Sequence, residues 1–177
     1  MKHRTSRKSL FGLLASTVLA FVLAGCGTPP STPDMLIQNV QAGGMFAKKD
    51  SFEVKRPISQ VTATLKDRSS ACLHKRLESS YWQNGLRHVH VEVLTPKIAV
   101  NKDRTRLTVQ VKDESPNTIV VGDPPPDGFY QMVVDAYPVG KGSTRVETHF
   151  QSGYDGMFTA IKPWATGTSD GCPDLTR

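Results

Sequence analysis

"LRHVHVEVLT", residues 86–95, alternates one side chain at a time. Successive residues of a strand point to opposite sides, so Val89, Val91 and Val93 share one face and His88, His90 and Glu92 the other. Residues 98–100 lead through the turn NKDRT into residues 106–112, where Leu107, Val109 and Val111 again alternate with polar side chains. Together these segments predict a hairpin with its valines in a core and its histidines and glutamate in water.

Upstream, SFEVKR at residues 51–56 is a short strand candidate, and Pro57 suits the first turn of a helix, where its missing N–H costs nothing. Ile58, Val61, Leu65, Ser69, Cys72, Leu73 and Leu77 then recur at three- and four-residue steps, which predicts an amphipathic helix running on until it stops before Asn84-Gly85. Residues 35–50 show no clean period, and Gly43-Gly44 argues for irregular chain.

Downstream, Pro116 and Pro124-Pro125-Pro126 make residues 113–128 a long loop, with a short edge-strand candidate at 118–121. FYQMVVDAY, residues 129–137, is apolar on both faces, as a central strand is. After the PVGKGS turn, Thr144, Val146, Thr148 and Phe150 alternate with Arg145, Glu147, His149 and Gln151. Tyr154, Met157, Phe158, Ile161, Trp164 and Ala165 form a closing helical stripe that Gly167 ends.

Strand, helix, antiparallel strands, helix is the order of an α+β domain. Its antiparallel sheet has N-terminal and C-terminal helices packed on one face, because the strands cannot bury themselves otherwise. This element order resembles the helix-grip (START-like) layout, in which a closing helix lies across a curved sheet. The resemblance implies a domain that holds an apolar ligand or docks a partner.

The N-terminus is of another kind. Lys2, Arg4, Arg7 and Lys8 precede an uncharged run at residues 10–24, and no acidic residue stands before Gly25. Fifteen helical residues cover roughly 22 Å, short of the roughly 30 Å hydrocarbon core of a bilayer. A basic start, a short apolar run and small residues at its end mark a secretory signal. Leu23-Ala24-Gly25-Cys26 moreover resembles the lipobox of bacterial lipoproteins.

That resemblance implies cleavage before Cys26, a diacylglyceryl group on its sulfur and attachment to the membrane by acyl chains, two or more of which anchor stably. The alternatives are an ordinary secretory signal with an incidental cysteine, or an uncleaved anchor helix. Gly27 stands where inner-membrane lipoproteins of Gram-negative bacteria carry aspartate, which favours the outer membrane, facing the periplasm; in a Gram-positive cell the inference is empty. The organisation expected is a signal peptide at 1–25, a lipidated cysteine with flexible tether at 26–45, and one α+β domain at 46–177. GTPPSTPD, residues 27–34, would span roughly 25 Å if extended.

The formal charge of +6 comes largely from the signal: 22 basic residues less the four before Cys26 leave 18 against 16 acidic ones. A mature balance of +2 removes the argument for a nucleic-acid partner, which needs a concentrated basic surface. The partners expected are the membrane, through the lipid, and an envelope protein or a small apolar ligand. Cys72 and Cys172 are the remaining cysteines, and an even pair in an oxidising compartment reads as a disulfide. Two buried thiols are the alternative.

His88, His90 and Glu92, on one strand face, are zinc-ligand types, and a neighbouring strand carrying Glu147 and His149 could join them. The plain alternative is the wet face of a one-sided sheet. Gly-x-Ser-x-Gly, a phosphate-binding glycine loop and CxxC are all missing from the sequence, so neither enzyme activity nor a cofactor is expected. Tyr81 with Trp82 and Phe129 with Tyr130 are aromatic pairs that either line a ligand groove or a partner interface or cap the ends of the core, and Trp164 belongs to the core. The function expected is that of a lipid-anchored, noncatalytic binding or docking module, with a metal-binding protein using His88, His90 and Glu92 as the alternative.

Overall fold

The computed structural model describes residues 29–44, 46–116, 123–151 and 153–175. The predicted signal segment, Cys26 and the edge-strand candidate at 118–121 lie outside the described residues. Nine elements follow in order: α1 (Pro33–Gln41), β1 (Ala47–Val54), α2 (Ile58–Leu73), β2 (Lys75–Gln83), β3 (Leu86–Asn101), β4 (Arg104–Asp113), β5 (Phe129–Val139), β6 (Ser143–Gln151) and α3 (Asp155–Thr166). The six strands form one antiparallel sheet in the order β1-β6-β5-β4-β3-β2.

The α+β class and the antiparallel sheet agree with the sequence reading, and α2 and α3 share one face. Beneath them Leu94, Leu107, Val109, Met132, Val134, Val146 and Phe150 meet Val61, Leu65, Met157, Ile161 and Trp164 in one core. Arg56 ties the two helices together, its Nη1 donating to the Trp164 and Ala165 carbonyls at 3.2 and 2.8 Å and its Nη2 to Thr64 Oγ1 at 3.1 Å. A cation at the C-terminal carbonyls of α3 also offsets the helix dipole. Gly167 then closes α3 in the left-handed conformation, φ 75°.

Three expectations are corrected. First, residues 33–41, assigned to irregular tether, are helix α1. Thr32 caps it by accepting the Met35 N–H, and Pro33 fits the first turn. Leu36 and Val40, one turn apart, bury against Val133 on the sheet face opposite α2 and α3. The sheet is therefore covered on both sides, which explains the two apolar faces of β5.

Second, the helix predicted up to Asn84-Gly85 ends at Leu73, and residues 75–83 are strand β2. Asn84 and Gly85 have φ 52° and 76°, and a pair with positive φ at both centres is the turn that joins two strands without splaying them. Asn-Gly here closes a hairpin with β3 instead of stopping a helix.

Third, β3 is a single strand through residue 101, and its faces are reversed. Leu94 and Ile98 belong to the core under the helices, opposite Val111 and Leu107 of β4. They are in phase with His88, His90 and Glu92. The period of two carries those polar side chains to the helix-covered face, and Glu92 is only 7% exposed.

Candidate functional site

Beyond Glu92 the sheet narrows. Asp113, the last residue of β4, pairs with Glu92, and Glu114 still donates its N–H to the Val91 carbonyl at 2.8 Å, so, among the described residues, 86–89 of β3 pair with β2 alone as a two-stranded arm. At the root of this arm the helix-side face is open, and a cleft of about 400 Å³ is lined by Leu77, Ser79, His90, Glu92, Tyr154 and Leu175, with Glu78 and Asp174 at its rim.

A chain of hydrogen bonds builds its floor. The Tyr154 hydroxyl donates to Glu92 Oε2, and His90 Nε2 stands 3.4 Å from Glu92 Oε1. The other imidazole nitrogen, Nδ1, is 2.9 Å from Ser115 Oγ, which donates to Asp113 and accepts the Val91 N–H at 2.9 Å. Asp113 also accepts the Ser115 N–H at 2.8 Å, a local turn that fixes the serine. Ser115 thus bridges the His90 imidazole and the Asp113 carboxylate. Tyr154, 1% exposed, places its ring in the core and its hydroxyl on the buried carboxylate of Glu92.

The far wall is the C-terminal segment. Cys72 and Cys172 are bonded, with Cα atoms 5.1 Å apart across a sequence separation of 100. The Trp164 indole donates to Gly171 O at 3.0 Å and Arg68 Nη1 to Asp170 O at 2.6 Å. A Cβ on Gly156 would stand 1.9 Å from Asp174 O, so only glycine lets the segment cross the start of α3 this closely.

Of the predicted ligand set, His90 and Glu92 come together, while His88 stacks on Tyr81 with ring centroids 5.1 Å apart. Glu147 and His149 do not join them: β4 and β5 separate β6 from β3, and His149, opposite Val133, points to the other face. Among the described residues no group of three His, Cys, Asp or Glu side chains is arranged to hold a metal ion. Tyr81 and Trp82 neither cap the core nor line the cleft; they are 55% and 74% exposed near the tip of the arm. Tyr130 packs against Leu36 and Val40, and Trp164 is fully buried, as read.

A second polar cluster escaped the sequence reading. Asp135, 2% exposed in the middle of β5, accepts both Arg106 Nε and Nη2 at 2.7 Å, while Arg106 Nη1 reaches Asp34 of α1 at 2.9 Å. The bond to Asp135 holds the Arg106 guanidinium more firmly protonated than usual. Nearby, burial pushes the His149 imidazole below its ordinary range, partly offset by Glu147 and Asp135, and its Nδ1 has no hydrogen-bond partner. The only sequence signal was a lone aspartate inside an apolar strand.

The sequence matches no protein-family model and no curated protein. Among solved structures it is similar to norcoclaurine synthase from Thalictrum flavum in complex with dopamine and hydroxybenzaldehyde. The likeness is 11% identity and a TM-score of 0.28 over 69% of this chain and 84% of that one, a level that fixes neither fold nor function.

Proposed function

We propose that this chain is a lipoprotein of the cell envelope, cut before Cys26 and held by acyl groups on that sulfur, in the outer membrane facing the periplasm. Its domain is a noncatalytic module, helix-grip-like in layout, that binds a small ligand or docks an envelope protein. The cleft at the root of the arm carries the binding half of this reading. Its polar floor is already hydrogen-bonded, so what it offers an occupant is shape, the apolar sides of Leu77 and Leu175, and the carboxylate of Glu78. The space beneath α3 is filled by Met157, Ile161 and Trp164, which moves ligand room from the usual place under a closing helix to the sheet's edge.

The test is to extract membrane-purified protein and identify small molecules carried in stoichiometric amount. A Ser79→Trp variant, which fills the cleft, should lose them. An empty wild-type protein whose cleft resonances also ignore an alkylammonium probe would end the ligand reading. Mass spectrometry of the same material tests the anchor, expected as an acylated Cys26 at the amino terminus. The alternative, a metal ion on His88, His90 and Glu92, requires His88 to leave Tyr81. An ion bound one to one and lost from a His88→Ala, His90→Ala double variant would establish it.

A further inference from the structure

The arm ends in an apolar tip that no other described element covers. Trp82 is 74% exposed, Leu86 66% and Tyr81 55%, flanking the Asn84-Gly85 turn, with Arg87 beside them donating to Ser80 Oγ at 3.3 Å. Residues 86–91 add roughly 20 Å at about 3.3 Å each. Among the described residues, 86–89 pair with β2 alone. A two-stranded ribbon is marginal in water without a covered face, so an aromatic tip of this kind calls for something to sit against.

The route of the N-terminal chain says what lies there. Pro30 accepts the Tyr130 N–H at 3.0 Å. Tyr130 pairs with Gln110, and Gln110 with Thr95 of β3. The chain therefore leaves toward Cys26 at the level of Thr95, at the same end of the sheet from which the arm projects. Cys26 is four residue steps from Pro30, a reach of about 13 Å, whereas the arm tip lies roughly 30 Å beyond Thr95. An anchor at Cys26 would thus keep that end of the sheet close to the bilayer surface, where the tip can reach it with the strands inclined.

Resting on the lipoprotein reading above, we propose that the β2–β3 arm is a second membrane contact, its Trp82, Tyr81 and Leu86 side chains seated in the head-group region of the bilayer that holds the Cys26 lipid. The chemistry fits. Tryptophan and tyrosine, apolar in body and polar at one edge, collect at membrane–water interfaces, the turn needs no further backbone partners than the hairpin gives it, and Arg87 adds a cation for lipid phosphate.

The experiment uses the full acylated protein in vesicles of phosphatidylethanolamine and phosphatidylglycerol, with or without brominated acyl chains. The chain has two tryptophans, and Trp164 is buried, so the signal lost in a Trp82→Phe variant belongs to the tip. We expect that component to be quenched by brominated lipid and shielded from acrylamide. A Trp82 component open to acrylamide and indifferent to bromine overturns the proposal, as does shielding that rises with protein density and not with bromine, which would assign the tip to a second copy pairing along β2. The mass of Cys26 is read separately: an acylated sulfur with a wet Trp82 refutes the arm alone, while a bare sulfur refutes the anchor.

Discussion

Replacing Asp135 by alanine is expected to be far more damaging than its position in an apolar strand suggests. The carboxylate is 2% exposed and takes two parallel hydrogen bonds of 2.7 Å from Arg106, whose side chain is itself 15% exposed. Removing one partner of a buried pair costs about 3–5 kcal/mol when the other charge is left uncompensated. Here the lower end is expected, because Arg106 keeps the exposed Asp34 at 2.9 Å and Asp135 keeps Arg104 at 3.7 Å. A domain of this size has roughly 5–15 kcal/mol in total, so the variant should lose about a fifth or more of its stability. Arg106→Met should cost a similar amount. The double variant Arg106→Met, Asp135→Leu should cost less than the two singles summed, because no charge is stranded and packing is kept. Asp34→Ala, whose carboxylate is 75% exposed on the same arginine, should cost no more than about 1 kcal/mol. Urea unfolding at pH 7 followed by circular dichroism gives all four values. Singles that cost under about 1 kcal/mol, or costs that simply add in the double variant, would show that this pair does not hold α1 and the sheet as argued.

Replacing Cys172 with alanine opens a loop of 100 residues and should cost on the order of 4 kcal/mol, read as a lower urea midpoint that matches reduced wild-type protein; an unchanged midpoint would deny the bridge its role. Gly156→Ala places a Cβ at 1.9 Å from Asp174 O, so the C-terminal segment must lift. Amide exchange at residues 171–175 should accelerate while the core strands stay protected, and an unaltered pattern would contradict that packing. His149 has a folded-state pKa below its unfolded value because it is buried, so its neutral form belongs to the folded state. Its contribution is complete above the unfolded pKa of about 6.5 and is lost as pH falls toward the folded one, at up to about 1.4 kcal/mol per pH unit. The difference between wild type and His149→Phe should show this slope below pH 6.5 and none above; a flat difference would rule it out.

The elements that could be read from sequence are those whose burial is one-sided or complete. Leu107, Val109 and Val111 gave β4, the unbroken run at 129–137 gave the centre of the sheet, and the 154–165 stripe gave α3. What misled was phase and handover. Leu77 continues the α2 spacing by coincidence, and the local pattern cannot show that residues 75–83 are drawn into a strand by their partner across Asn84-Gly85. In β3 the valines outweigh the histidines as apolar residues, yet Leu94 and Ile98 further along decide which face is buried, and a period of two lets distant residues dictate to near ones. Helix α1 was hidden by its length: nine residues with two buried side chains give no period, although Thr32-Pro33-Asp34 is a helix start. At the cleft, His90 and Glu92 were visible as a pair, but Tyr154 and Asp174 arrive from more than sixty residues away.

The cleft exists because two coverings stop at the same place. Helices α2 and α3 shield the sheet as far as Leu94, and β4 stops at Asp113, opposite Glu92, so among the described residues the strand pair beyond Val91 has neither a helix above it nor a third strand beside it. Left open, Glu92 would be an ordinary wet carboxylate. Tyr154, at the entrance of α3, closes over it, and the C-terminal segment completes the wall through Asp174 and Leu175. That segment has no regular structure; the disulfide, the Trp164–Gly171 hydrogen bond and the close crossing at Gly156 hold it. All three grip points lie on α2 or α3, so the two helices set the width of the cleft while β2 and β3 supply its floor. A change that shifts α3 against the sheet must therefore alter the cleft even when it touches none of the lining residues. Phe158, packed on Phe150 with ring centroids 5.7 Å apart, is such a position. If the cleft binds its occupant by shape, Phe158→Ala should weaken that binding while leaving the Glu92–Tyr154 hydrogen bond in place, and an occupant held with unchanged affinity would mean that the wall and the helix layer are independent.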